Sequence, residues 1–328
     1  MTTPLLSRRT VLATCAAAAA SGVLPSLDRA SAAAPPAGKQ APGFYRLKLG
    51  SYELTAINDG VWHRPIDATF VKGASWPDVQ KAMADARMPE PGKLEIPFTA
   101  LLVNTGSKLV LLDTGSGGQM AATAGALLAN LAAAGVEPKD IDTIAVTHFH
   151  PDHINGIKTK DDALVFPNAE IMVPAREIAF FMDDGNFSRA PDSARGVFLN
   201  ARRVFKGIEK TVTRFEPGKG IAPGITPLAA PGHTPGHVVY AVASGDASMM
   251  VLGDITNRPE LFARNPEWQP IFDMDGPLAI ENRKRLFDRV AADRMLVQGF
   301  HFPFPSHGYI AKDGTGYEFV PAPWQPVL

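Results

Sequence analysis

Apolar and polar side chains alternate with a period of two over residues 44–49 and 52–58, which predicts two strands joined at the Gly50-Ser51 turn. Residues 99–103 and 109–112 are short apolar runs on either side of Asn104-Thr105-Gly106-Ser107 and predict a hairpin, so the sheet starts antiparallel. The period then changes. An Ala/Leu-rich amphipathic stretch over 119–134, closed by Gly135, predicts a helix, and the unbroken apolar run 141–146 predicts a buried strand. Further strands are expected at 170–173, 238–242 and 249–252, with helices at 175–183, 192–205 and 277–291. Strands and helices so interleaved predict one mixed α/β unit from residue 44 to the end.

Composition narrows the function classes. With 328 residues, 45% of them hydrophobic and 20% charged, the chain is neither fibrous nor wholly disordered. Its 32 basic and 33 acidic side chains leave a net charge of -1, which argues against a nucleic-acid partner. The single cysteine, Cys15, lies near the start, so neither a disulfide framework nor thiolate catalysis is expected in the body of the chain. No dinucleotide fingerprint, P-loop or internal repeat is present.

The first 34 residues read as a targeting segment. Ser7-Arg8-Arg9-Thr10-Val11-Leu12 is a twin-arginine pattern running into a short apolar stretch that ends near Leu24, with small residues at Ala30-Ser31-Ala32 or Ala32-Ala33-Ala34 for cleavage. A Pro/Gly-rich leader follows over 35–43. Export through the Tat translocon to the periplasm or beyond is expected, without stable membrane association. Loss of residues 1–32 removes three arginines and one aspartate and leaves a charge of -3 on a cysteine-free chain, which suits an oxidising compartment.

Three of the eight histidines fall within His148-Phe149-His150-Pro151-Asp152-His153, directly after a predicted strand. Residues two apart share a face while the chain is extended, so His148 and His150 can converge on one ion. Pro151 then turns the chain and displaces Asp152 and His153 toward a second. Neutral imidazoles and carboxylates suit zinc and its neighbours, and ordinary packing gives no reason for so many in one strand-end loop.

The order of motifs resembles the metallo-β-lactamase superfamily. HxHxDH is followed by Pro231-Gly232-His233-Thr234-Pro235-Gly236-His237, by Leu252-Gly253-Asp254 and by Phe300-His301-Phe302-Pro303, and is preceded by Leu112-Asp113-Thr114-Gly115. Residues 102–110 and Phe166-Pro167-Asn168-Ala169 are most similar to the methyl parathion hydrolase group and its lactonase relatives. The resemblance implies an αβ/βα four-layer sandwich of two mixed sheets flanked by helices, over residues 44–328. It implies that His148, His150 and His233 hold one ion, that Asp152, His153 and His301 hold another, and that Asp254 bridges them. The cofactors implied are two divalent metal ions, Zn first, with Mn, Co or Fe fitting the same donors. In such sites a hydroxide bridging the two metals attacks the substrate. Asp113 is expected to orient a ligand imidazole, the alternative being a turn carboxylate. His63, His237 and His307 have no ligand place in the pattern and read as hydrogen-bonded or surface histidines.

The second-ion cysteine of many β-lactam-opening relatives is missing, so an ester-type substrate is expected. By spacing from the motifs, Met120, Phe181, Phe198 and Phe272 resemble pocket-lining positions of the methyl parathion hydrolase group, the alternative being core packing. A wall of this kind favours an apolar lactone or aryl ester, with an organophosphate triester as alternative. A non-catalytic periplasmic metal-binding protein is the rival from another class. The oligomeric state stays open, a homodimer included.

Overall fold

The computed structural model describes residues 36–88 and 92–328. The twin-arginine segment lies outside them, as does the first residue of the leader. Two units are distinguished, 1–41 and 42–328. In the first, residues 36–41 are exposed and lack helix or strand. Among the described residues no helix is long and apolar enough to cross a membrane.

The second unit is built on two mixed sheets. The first orders β1 (Phe44–Leu49), β2 (Tyr52–Pro65), β4 (Lys93–Asn104), β5 (Leu109–Leu112), β6 (Thr143–Ala145), β7 (Glu170–Pro174) and β8 (Thr213–Phe215), antiparallel up to β5 and parallel after it. The other orders β15 (Gly316–Pro321), β14 (His307–Asp313), β13 (Leu296–Gln298), β11 (Ala247–Val251), β10 (Val238–Ser244) and β9 (Ile225–Ala229), with only β11 and β13 parallel. A short ribbon pairs β3 (Val71–Lys72) with β12 (Gln269–Pro270).

The period-two pattern decides the layering. Along β4, Leu94, Ile96, Phe98, Ala100 and Leu102 face one apolar cluster, whereas Leu101 and Val103 face another shared with Val238, Tyr240, Val242, Met249 and Val251 of the opposite sheet. Helices cover the outer faces. Those at Ala175–Met182 and Asp192–Phe205 pack their apolar sides on the first sheet, and the helix at Gly276–Ala292 places Leu286, Phe287 and Val290 against the second. This is the helix-sheet-sheet-helix sandwich that the resemblance implied.

Two local departures have a tertiary cause. The helix expected over 119–134 is confined to Leu127–Ala133. Instead of continuing the helix, Gly125 and Ala126 donate their N–H groups to the carbonyl of Asp59, and Leu127 donates to its carboxylate. That carboxylate also accepts from the N–H and hydroxyl of Ser116. β2 extends to Pro65 rather than ending at 58, passing through a bulge between Asn58 and Gly60. Gly60 has φ +122°, and a Cβ there would lie 2.2 Å from the carbonyl of Thr123. Gly60→Ala is therefore expected to cost about 2 kcal/mol or more, measured by urea unfolding. Unchanged stability would show that the bulge tolerates a side chain. The helix Trp76–Asp85 and the strands β13 to β15 complete the fold without a strong signal in the apolar pattern.

Candidate metal centre

Both sheets present the carboxyl ends of a parallel pair to the same place. Leu112 of β5 pairs with Ala145 of β6, so Asp113 and the 147–153 loop leave their strands side by side. Val251 of β11 pairs with Gln298 of β13, so Asp254 and His301 follow in the same way. Three bonds fasten the two ends together: Thr99 N–H to the carbonyl of Phe300 (2.9 Å), Val238 N–H to that of Thr147 (3.1 Å) and the Tyr240 hydroxyl to that of Val146 (2.7 Å).

Pro151 opens a single helical turn, Pro151–Ile154, behind an extended His150. The turn separates the donors into two sets. His148, His150, His233 and Asp254 form one, and Asp152, His153 and His301 the other, with the ligand atoms within each set no more than 4.8 Å apart. Asp254 stands between them: its Oδ2 is 2.9 Å from Nε2 of His301 and 3.2 Å from Nε2 of His233, and its Oδ1 is 3.2 Å from Nε2 of His153.

The outward nitrogen of each of four rings has an acceptor. Nδ1 of His153 lies 2.8 Å from Asp113, Nδ1 of His233 2.8 Å from Asp273, Nδ1 of His301 2.8 Å from the carbonyl of Pro97 and Nδ1 of His148 3.0 Å from the Thr147 hydroxyl. With the proton on Nδ1, each Nε2 lone pair points inward. Asp113 also accepts from the N–H and hydroxyl of Thr147, which places it behind the loop as an orienting group rather than among the inward donors.

These residues fit a pair of cations. Nε2 of His148, Nε2 of His153 and Oδ1 of Asp254 are buried without any hydrogen-bond partner, and Nε2 of His233 faces Nδ1 of His150 at 2.8 Å. Buried lone pairs converging without a proton between them are costly unless a positive ion is shared. Burial and neighbouring imidazoles hold His148 and His150 well below the usual histidine range, hence neutral. Burial opposes charge on His233 too, but Asp254 and Asp273 outweigh it and raise its pKa to about 9, so with no ion bound this ring takes up a proton near neutral pH as the carboxylates draw positive charge to the site. The cluster thus carries carboxylate charge that calls for a cation.

The remaining histidines lie outside both sets. His237 is buried, with Nδ1 3.1 Å from the carbonyl of Ala230 and Nε2 accepting from the N–H of Asp254 at 2.9 Å. Burial and the neighbouring His233 bring its pKa down to about 3, so it remains an acceptor holding the backbone of Asp254. His63 pairs with Glu95 at 3.4 Å, and His307 stacks on Tyr45.

Two buried carboxylates outside the sequence motifs support the cluster. Glu177 accepts from Phe149 N–H at 3.0 Å and Gly236 N–H at 2.6 Å, tying the 148–153 loop to the 231–237 loop. Its burial pushes its pKa up to about 7. Asp273 is the acceptor for His233. Neither lies in a motif, and only a carboxylate close to an apolar run marked them.

The four pocket-lining expectations divide. Phe181 and Phe198 are fully buried, 4.9 Å apart, and Phe181 stacks with Phe149. This corrects their expected place in a substrate wall: they form the core beneath the histidine loop, because the loop's apolar residue Phe149 needs cover. Met120 is half-buried in an open depression with Lys160 and Arg203. Phe272, half-buried, meets Trp62 at 6.3 Å and the edge of Phe70 at 5.6 Å, under the guanidinium of Arg64 at 5.0 Å.

Residues 97–299 match the family profile of the metallo-β-lactamase superfamily. The chain belongs to that superfamily. Among curated relatives, it is 30% identical over 176 residues to a probable metallo-hydrolase of Mycobacterium tuberculosis, the match covering 47% of this chain and 55% of the relative. It is also 30% identical over 117 residues to a hydroxyacylglutathione hydrolase of Pseudomonas entomophila, covering 35% and 33%. The chain thus spans about half or less of the length of these relatives. Among solved structures, a hydrolase termed AbOPH in the β-lactamase superfamily superposes with TM-score 0.82 at 28% identity, covering 88% of this chain and 100% of that one. AidC, a dizinc quorum-quenching lactonase in complex with a homoserine product, superposes with TM-score 0.81 at 28% identity, covering 86% and 98%. This superfamily member brings together a His/Asp cluster able to hold metal ions.

Proposed function

We propose that the chain is a binuclear hydrolase of uncharged apolar lactones or aryl esters. The observation that carries this is the set of seven donors with three buried, unpartnered ligand atoms directed at one place. The similarity to a dizinc lactonase supports both the pair of ions and the lactone. Divalent ions held there, Zn first among them, supply activation of water near neutral pH and polarisation of the scissile carbonyl. The chain's own part would be to hold the ions with seven donors, Asp254 facing rings of both sets, and to orient the rings through Asp113, Asp273, Thr147 and Pro97. No serine or cysteine nucleophile is required.

Phe272 precedes the residue that touches His233, and Ile271 and Met274 beside it are exposed, so this segment offers an apolar edge next to the ions. Phe272→Ala should lower kcat/KM for an aromatic lactone by about 5- to 150-fold, as loss of roughly 1–3 kcal/mol of aromatic contact does, with a smaller loss for a short aliphatic ester. Equal losses on both substrates would assign Phe272 to packing alone.

The substrate class is tested by kcat/KM on metal-loaded protein across lactones, aryl esters and phosphotriesters, with lactones or aryl esters expected to lead. A leading phosphotriester would overturn the ester preference. No turnover on any of them, with two ions bound, would overturn the hydrolase reading in favour of a non-catalytic metal-binding protein. We also propose Tat-dependent export to the periplasm or beyond. Replacing Arg8 and Arg9 by lysine should leave precursor in the cytoplasm, and an unchanged exported yield would overturn the proposal.

A further inference from the structure

His233 rests on a cradle made by the helix Gly276–Ala292 and the residues leading into it. Met274 N–H donates to the carbonyl of His233 at 3.1 Å, Asp275 N–H to that of Gly232 at 2.8 Å and the Asn282 amide to that of Pro231 at 2.8 Å. The approach is close: a Cβ on Gly232 would lie 2.3 Å from the backbone nitrogen of Ala279.

Inside this cradle sits a fully buried guanidinium, Arg283. It donates to the carbonyls of Ile255 (2.7 Å), Pro266 (2.8 Å) and Trp268 (2.8 Å) and to Oδ2 of Asp273 (3.2 Å). The other oxygen of Asp273 receives Nδ1 of His233. Ile255 follows Asp254 directly. A single planar fork therefore spans from the residue after the bridging carboxylate to the carboxylate that orients His233, a reach that a lysine ammonium with one nitrogen cannot reproduce.

We infer that Asp273 and Arg283 are positioning residues that set the affinity for the ion held by His148, His150 and His233. Asp273 fixes the ring and its tautomer, and Arg283 keeps Asp273 oriented and at a set distance from the Asp254 loop. The inference rests on the two-ion reading proposed above.

The test is a competition titration of apo protein with zinc and a chromogenic chelator, resolving the two equivalents, alongside thermal melting of the apo forms. Wild type should bind two equivalents; if it does not, the two-ion reading itself fails. Given two, Asp273→Asn should weaken one of them by about 10- to 100-fold and leave the other within about threefold. Asp113→Asn, beside His153, should weaken the other one. Arg283→Lys, which retains the charge, is the second variant and should weaken the same equivalent as Asp273→Asn. If either variant lowers apo stability while both equivalents bind as in wild type, the pair is structural only and the inference is overturned. Equal weakening of both equivalents would overturn it too. Should Asp273→Asn not fold, Arg283→Lys decides by the same titration. Should neither fold, NMR of histidine-labelled, zinc-loaded wild type decides: a His233 Nδ1 proton shifted downfield and protected from exchange supports the inference, and its absence overturns it.

Discussion

Replacing Asp254 by alanine should lower kcat by at least about 100-fold and reduce the bound metal below two equivalents. The carboxylate faces His301, His153 and His233 at 2.9–3.2 Å and so reaches both donor sets. Burial would favour its neutral form, but the surrounding imidazoles hold its pKa well below the usual carboxylate range, so a full negative charge stands at the centre of the cluster. Alanine removes that charge and leaves five rings whose mutual repulsion only a more weakly held ion could relieve. The backbone should persist, because His237 holds the N–H of residue 254 and Gly253, at φ +50°, keeps the turn. Turnover and metal content measured on the same preparation check this. Near-normal kcat with two ions bound would show that Asp254 does not bridge.

Stripping divalent ions with a chelator should abolish hydrolysis, and about two equivalents should restore it. The protein offers no alternative nucleophile in the cluster, since its members are imidazoles and carboxylates only. The same titration should raise the melting temperature. A ligand that binds only the folded state stabilises it by about 2.7 kcal/mol at a hundred times its dissociation constant. Full activity in rigorously metal-free protein would sink the hydrolytic mechanism. Recovery complete at one equivalent would reduce the site to a single working ion.

The strand signals were legible because they are local. Residues 44–49 and 109–112 form strands where their apolar pattern and flanking turns place them, and the helix at Asp192–Phe205 occupies the stretch its period predicts. The stretch at 119–134 misled because an Ala-rich period of 3.6 reports only propensity, worth tenths of a kcal/mol per residue, whereas the Asp59 carbonyl and carboxylate bind three of its N–H groups directly. Phe181 and Phe198 carried the same ambiguity in another form. An apolar residue on an amphipathic helix looks alike whether its face meets a core or a cavity, and only the position of Phe149 decides that these two are covered.

By itself the sequence determined the donor types and their order along the chain, and the turn at Pro151 that displaces Asp152 and His153 from His148 and His150, which depends on neighbours within six residues. Tertiary structure alone decided that donors more than 150 residues apart meet around Asp254. It alone decided that Asp273 and Arg283 stand behind His233, and that Glu177 joins two ligand loops. The physical reason is that a buried carboxylate or guanidinium acquires its role from the hydrogen bonds that compensate its burial. Those partners lie on other elements, and no local pattern in the chain encodes them.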